Sequence, residues 1–150
     1  MLTTRLAESQ DLPGLLTLYR ESGFSDPVAD SEQPGIWQDI LSRDGVYVVV
    51  ASLDAEIVST CTLITAPNLL RGGRAHGFLE NIATLPTHRR RGHGRRVIAF
   101  ALKTAWEVGC FHVLLQSGKS DPGVHAFYQS LGFEPDLRTA YAARRPEDQA

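Results

Sequence analysis

The chain has 150 residues, enough for one domain around a single core. Its 43% hydrophobic and 21% charged content is that of an ordinary folded domain, and a net charge of −2 excludes nucleic-acid binding by bulk charge. Two cysteines, Cys61 and Cys110, are too few for a disulfide framework. The N-terminal run lacks a signal-peptide core, and no apolar stretch approaches the ~20 residues of a membrane span, so a reducing, cytoplasmic setting is expected.

In chain order, Leu2–Leu6 predicts a short strand. Ser9 is placed to cap a helix through about Ser22, with Leu12, Leu15, Leu16 and Tyr19 at helical spacing. Gly23–Asp30 is a loop. A second helix follows Pro34 and carries Ile36, Trp37, Ile40 and Leu41. Val46–Leu53 is a continuous apolar strand, Asp54-Ala55 a tight turn and Glu56–Thr65 its hairpin partner. Pro67–Gly73 is a loop and Arg74–Leu85 a long strand. The helix after Gly94 carries a stripe of Val97, Ala101 and Ala105, with Ile98, Leu102 and Trp106 beside it, and Gly109 ends it. Phe111–Gln116 is the next strand. Asp121 caps a last helix with Pro122 at its first position and Val124, Phe127, Tyr128 and Leu131 on its buried face. Gly132 closes it, one or two final strands are expected from Phe133, and Arg144–Ala150 is a polar tail. The chain shows no internal repeat or second domain. It predicts a single α/β domain over residues 1–150, with a mixed central sheet flanked by about four helices.

The segment from Ile82 to Ile98 runs strand, Arg/Gly-rich loop, helix. Backbone N–H groups that open a helix have no intrahelical acceptor and point along the positive end of the helix dipole, so an anion fits there without a dedicated side chain. Gly92 and Gly94 permit close backbone approach. The segment is not a P-loop, because no Gly-Lys-Ser/Thr ends it. It is not a dinucleotide fingerprint, because Val97 stands where a third glycine is needed.

Arg89-Arg90-Arg91-Gly92-His93-Gly94 resembles the acetyl-CoA signature of the GNAT superfamily of N-acetyltransferases, Arg/Gln-x-x-Gly-x-Gly/Ala. A second element agrees. Asp121 to Phe133 resembles the family's late helix, Asn-x-x-Ala-x-x-Phe/Leu-Tyr-x-x-x-Gly-Phe, with Asp121 in place of Asn and Val124 in place of Ala. The two regions span residues 78–133, in the family's order and spacing. The resemblance implies a splayed cofactor cleft beside the strand that ends at Leu85. It implies that the backbone of Ile82, Ala83 and Thr84 holds the pantetheine arm and that the amides of Arg89, Arg90, Arg91, Gly92, His93 and Gly94 hold the pyrophosphate, with Arg95 beside them. Asp121 is carried over at the cofactor site as well, although a carboxylate suits a phosphate-bearing ligand less than an amide does.

Acetyl transfer from a thioester to an amine needs a base for the amine and a proton for the leaving thiolate. Tyr128 is the candidate acid, by its place in the family motif; it is otherwise a core tyrosine between Phe127 and Leu131. Glu80 is the candidate base, direct or through water, because a carboxylate in the apolar run Phe78-Leu79-Glu80-Asn81-Ile82 needs a reason; it is otherwise a structural partner for an Arg. Strand alternation predicts that Glu80, Ile82 and Thr84 share one face, with His76 further along it. The five histidines lack metal-ligand spacing, and no metal is expected. Asp26, Asp30, Glu32 and Asp39 would form an acidic mouth for a cationic amine. The implied activity is an acetyl-CoA-dependent N-acetyltransferase for a small primary amine, with no nucleic-acid or membrane partner. A peptide or protein acceptor and a non-catalytic CoA-binding sensor are the alternatives, and homodimerisation is left open.

Overall fold

The structure is a computed structural model that describes residues 1–24, 28–117 and 121–148. The chain divides into two compact units, Met1–Leu115 and Gln116–Ala150.

The first unit is a five-stranded sheet with three helices. Its strands are β1 (Leu2–Leu6), β2 (Val46–Leu53), β3 (Glu56–Ala66), β4 (Ala75–Thr84) and β5 (Cys110–Leu115), in spatial order β1-β2-β3-β4-β5. The first four are antiparallel neighbours, and β5 joins β4 in parallel, which makes the sheet mixed. The helices are α1 (Leu12–Glu21), α2 (Gln33–Ser42) and α3 (His93–Glu107). Because the β4–β5 connection must cross over, it carries α3.

β3 is the spine, buried from Ile57 to Leu63. Adjacent residues on a strand face opposite ways, and the contacts show what covers each face. The Cys61 thiol donates to the Val97 carbonyl of α3 (3.3 Å), while Thr60 and Thr62 lie against the Tyr19 hydroxyl of α1. So α3 covers one face with Val97, Ile98, Ala101 and Ala105, all fully buried, and α1 covers the other with Leu15 and Leu18. Burial pushes the Cys61 thiol up to about 12, which leaves it an inert core group.

Local chemistry shifts some element ends. Glu8, rather than Ser9, takes the cap position: a 3₁₀ turn at Ser9–Asp11 precedes α1, and the Glu8 N–H donates to the buried Asp11 carboxylate (2.7 Å). Arg5 clamps that carboxylate through two bonds (2.6 and 3.0 Å) and holds it below the usual Asp range, tying β1 to the start of α1. The Trp37 indole of α2 is buried and donates to the Ser9 carbonyl (3.1 Å). Asp54-Ala55 is a two-residue hairpin turn with both φ values positive (49° and 71°), as expected when two twisted strands close directly.

The second unit holds α4 (Pro122–Ser130). The Asp121 carboxylate accepts from the Gly123 N–H (2.8 Å), so Asp121 is the expected cap. The final strands expected from Phe133 do not form among the described residues: only a 3₁₀ turn at Pro146–Asp148 follows α4. Pro135 and Pro146 remove ladder donors, Asp136 turns the chain at φ 62°, and Leu137 and Tyr141 are 71% and 90% exposed. Among the described residues no helix is long and apolar enough to cross a membrane.

Ala55 carries a side chain in the left-handed region, where an L-residue is strained. Ala55→Gly is therefore expected to stabilise the protein by about 0.5–1 kcal/mol, after allowing for the extra freedom of glycine in the unfolded chain. Denaturant titration checks this; a lower midpoint for the variant contradicts it.

Candidate active site

β4 outlasts its parallel neighbour. The two strands pair from Ala75↔Cys110 to Leu79↔Leu115, and beyond Leu79 the same edge of β4 has no strand against it among the described residues. On its other edge β4 stays paired with β3 through Thr84. The β3 ladder slips where β5 stops: Thr62 pairs with Glu80 but Thr60 with Ala83, so Asn81 and Ile82 together oppose Cys61. This is a β-bulge, and Asn81 takes its left-handed turn at φ 51°. Asn is one of the few non-glycine residues that adopts that region readily.

The bulge corrects the expectation that Glu80, Ile82 and Thr84 share a face. Directly paired residues lie on the same side of a sheet. Glu80 therefore sits with Thr62 on the α1 face, while Thr84 sits with Ser59 on the α3 face; their hydroxyls are 2.8 Å apart. Glu80 is exposed, and among the described residues it has no ion pair, so the structural alternative of an Arg partner is not realised. Beside Thr62, the half-buried Tyr19 phenol is pushed up by burial, partly offset by the Thr62 and Thr60 hydroxyls. His76 lies on the Glu80 side of β4, at the far end, against the Phe78, Phe111 and His112 rings. Part of the β4 backbone is already engaged: the Ala83 carbonyl accepts from Ser59 (3.0 Å) and the Thr84 carbonyl from Arg89 Nε (3.3 Å). Ile82 is half-buried and Ala83 buried.

From Thr84 the chain passes a 3₁₀ turn at Pro86–His88 and enters α3 at His93, with Gly92 as its cap residue in the left-handed region (φ 83°). A Cβ at Gly92 would meet nothing within 4 Å, so the glycine is required by backbone conformation and leaves open space above the turn. Arg90 also takes a positive φ of 63°. The backbone N–H groups of Arg91, Gly92, His93 and Gly94 have no acceptor among the described residues. These are the donors that the sequence assigns to an anion, and the structure brings them together at one helix end. Arg90, Arg91, Arg95 and Arg96 are exposed around them, whereas Arg89 is turned back onto Thr84.

His93 is neither a surface histidine nor one with its ring nitrogens satisfied. It is only 6% exposed, and neither ring nitrogen has a hydrogen-bond partner. Burial, then His88, Arg91 and Arg96, hold its pKa below the usual histidine range. Its burial was legible: the stripe Val97, Ala101, Ala105 extends back by four residues to His93, provided the helix starts there and not after Gly94.

Tyr128 lies on α4 in the second unit. It is half-buried, packed edge-on to Phe133 (centroids 6.0 Å) and tilted against Phe127 (5.4 Å). The end of α4 fixes this arrangement. Gly132, at φ 94°, reverses the chain so that the Leu131 and Phe133 N–H groups both donate to the Tyr128 carbonyl (3.0 and 3.2 Å). Asp121 spends its carboxylate on capping α4. Of the acidic residues expected at an acceptor mouth, Asp26 lies outside the described residues. Asp30 and Glu32 are exposed, and Asp39 is paired with Arg43 (2.7 Å). No cluster of three possible metal ligands occurs among the described residues.

The chain is similar to known proteins. The Acetyltransferase (GNAT) family model covers residues 12–133, and the chain belongs to that family. It is thus an acyltransferase of the N-acetyltransferase type. Glucosamine 6-phosphate N-acetyltransferase of Trypanosoma brucei brucei is 32% identical over 140 residues, spanning 91% of this chain and 92% of the relative. A solved structure from Agrobacterium tumefaciens str. C58, provisionally assigned as an acetyltransferase, is 40% identical with a TM-score of 0.89, covering 95% of this chain and 99% of that one. Glucosamine-6-phosphate N-acetyltransferase of Arabidopsis thaliana shares the fold at 19% identity, with a TM-score of 0.83 over 97% and 98% of the two chains.

Gly92→Val places a β-branched residue at φ 83° and fills the open space above the turn. Acetyl-CoA affinity measured by calorimetry is expected to fall at least about tenfold, because both the loop conformation and the close backbone approach are lost. Unchanged affinity in a folded variant contradicts the assignment of this loop.

Proposed function

We propose that this protein is an acetyl-CoA-dependent N-acetyltransferase whose acceptor is the primary amine of a small molecule, residues 1–150 acting as one acetyltransferase domain. One observation carries the proposal: β4, with an edge that β5 leaves unpaired, leads through one short connection to the glycine-capped start of α3, whose N–H groups have no acceptor among the described residues. An extended ligand ending in a diphosphate needs this combination, a strand edge for its amides and a helix end for its charge. The residues present therefore fit acetyl-CoA.

When bound, acetyl-CoA supplies an acetyl group activated as a thioester. The amides of Arg91, Gly92, His93 and Gly94 would hold the diphosphate, with Arg90 and Arg95 adding charge around it. The free edge of β4 at Ile82, Ala83 and Thr84 would hold the pantetheine arm. Glu80, exposed and unpaired, accepts a proton from the acceptor amine, directly or through water. Tyr128 gives a proton to the departing thiolate. The amine attacks without an enzyme-linked intermediate, and neither cysteine takes part: both are buried with thiols pushed up by burial. For the acceptor, the relative from Trypanosoma, similar along nearly the whole chain, favours an amino sugar, with glucosamine 6-phosphate the first compound to try.

A thiol-release screen with amino sugars, aminoglycosides, polyamines, amino acids and peptides tests this. Release with an amino sugar supports the proposal, release only with peptides shifts it to a protein acceptor, and binding without release with any amine makes the chain a sensor. Tyr128→Phe keeps the ring and its contact with Phe133 but removes the hydroxyl. Turnover is expected to fall roughly 10²-fold with acetyl-CoA affinity little changed, the usual scale for a positioned acid. Glu80→Gln should lower the rate near neutral pH and flatten the rise of rate with pH, with activity recovering at high pH where the free amine is abundant. A loss of melting temperature with the pH limb intact removes Glu80 from the mechanism.

A further inference from the structure

His93 is the least explained residue of the first unit. An imidazole stripped of water, with both nitrogens unpartnered, costs stability unless something uses it. It lies at the first position of α3, below the turn whose N–H groups await an anion. Around it are His88 from the 3₁₀ turn (ring centroids 5.9 Å) and the charges of Arg91 from the loop and Arg96 from the first turn of α3. The nearby acid is Glu56 at the start of β3, and it faces His88, not His93: His88 Nε2 is 3.5 Å from the Glu56 carboxylate. The other His88 ring nitrogen is buried without a partner. The site is therefore rich in positive charge, and burial together with that charge disfavours a proton on His93.

Resting on the cofactor site proposed above, we infer that the His88–His93 pair is its proton-taking element: binding of a diphosphate at the start of α3 draws a proton from solvent onto the pair, which ties cofactor affinity to pH. The step is non-covalent to the ligand. One N–H bond forms at an imidazole nitrogen, the proton comes from the buffer, and the ligand's negative charge offsets Arg91 and Arg96. The direction follows. A bound anion favours the protonated pair, so the pair holds its proton to higher pH in the complex than in the free protein. Affinity is greatest below the free protein's titration, least above that of the complex, and rises as pH falls between them. Because the bound anion lies on the same helix start as His93, the Kd should fall severalfold, up to about tenfold, as pH falls through the histidine range.

The test is isothermal titration calorimetry with dephospho-CoA, whose diphosphate keeps a constant charge across the histidine range. CoA itself carries a phosphate monoester that titrates at about pH 6 and would confuse the result. Measured in two buffers of different ionisation enthalpy, wild-type binding should take up a substantial fraction of a proton in the acid part of the histidine range, below about pH 7. His93→Asn or His88→Gln should remove most of that uptake and flatten the pH dependence of Kd. Binding without proton uptake overturns this inference and leaves the cofactor site standing, as does uptake that persists in the folded double variant. No binding at any pH overturns the cofactor site and this inference with it. The wild-type measurement stands without any variant, and the half-buried His88 offers a second one if His93→Asn does not fold.

Discussion

A backbone polar group removed from water needs a partner, and in this fold one strand is built longer than the neighbour that could satisfy it. β4 has ten residues and pairs with β5 only as far as Leu79. Past that point, among the described residues, β3 alone pairs with it, through a ladder that slips by one residue at Asn81. The strand is thereby anchored on one edge and left available on the other. β3, buried on both faces between α1 and α3, is rigid enough to keep that edge in place. The bulge also decides orientation. Without it Glu80 and Thr84 would face the same way; with it the carboxylate stands on the α1 face while Thr84 is hydrogen-bonded to Ser59 on the other.

The second constraint is electrostatic. The same chain that leaves β4 turns through Arg90 and Gly92, both at positive φ, into the start of α3. Four N–H groups with no acceptor among the described residues, the positive end of a fifteen-residue helix and exposed arginines converge there. Such a concentration of positive charge is unfavourable for any nearby cation, and after burial it is the second reason that the pKa of His93 is lowered. The same potential thus acts on the residue at the first position of the helix. Net charge says nothing of this: the chain as a whole is slightly acidic.

Much of the architecture was legible in the sequence, because it rests on local signals. The continuous apolar run Val46–Leu53, the Asp54-Ala55 turn, the stripe along α3, and Asp121-Pro122 at the start of α4 each specify an element by period or cap chemistry. The Arg/Gly-rich loop proposed to hold a phosphate was legible for the same reason, since a glycine and a helix start are local signals. Features that depend on two strands at once were not. The Asn81 bulge is a mismatch between β3 and β4, and its only trace in the sequence is an Asn inside an apolar strand. The missing final strands failed because the aromatic and aliphatic residues after Phe133 suggest strand, while Pro135, Asp136 and Pro146 deny the backbone its ladder. The burial of His93 depended on a helix starting two residues earlier than the glycine pattern suggests.

The central claim is that one ligand occupies both the free edge of β4 and the start of α3. Hydrogen–deuterium exchange with and without acetyl-CoA tests it most directly, because the groups concerned are backbone amides. Slowed exchange in peptides covering Ile82 to Thr84 and Arg91 to Arg95, appearing together as acetyl-CoA is added, is the expected result. Saturable binding that leaves both segments unprotected, or that protects only another region such as the groove lined by Leu6, Ile40, Leu41 and Tyr47, would contradict it.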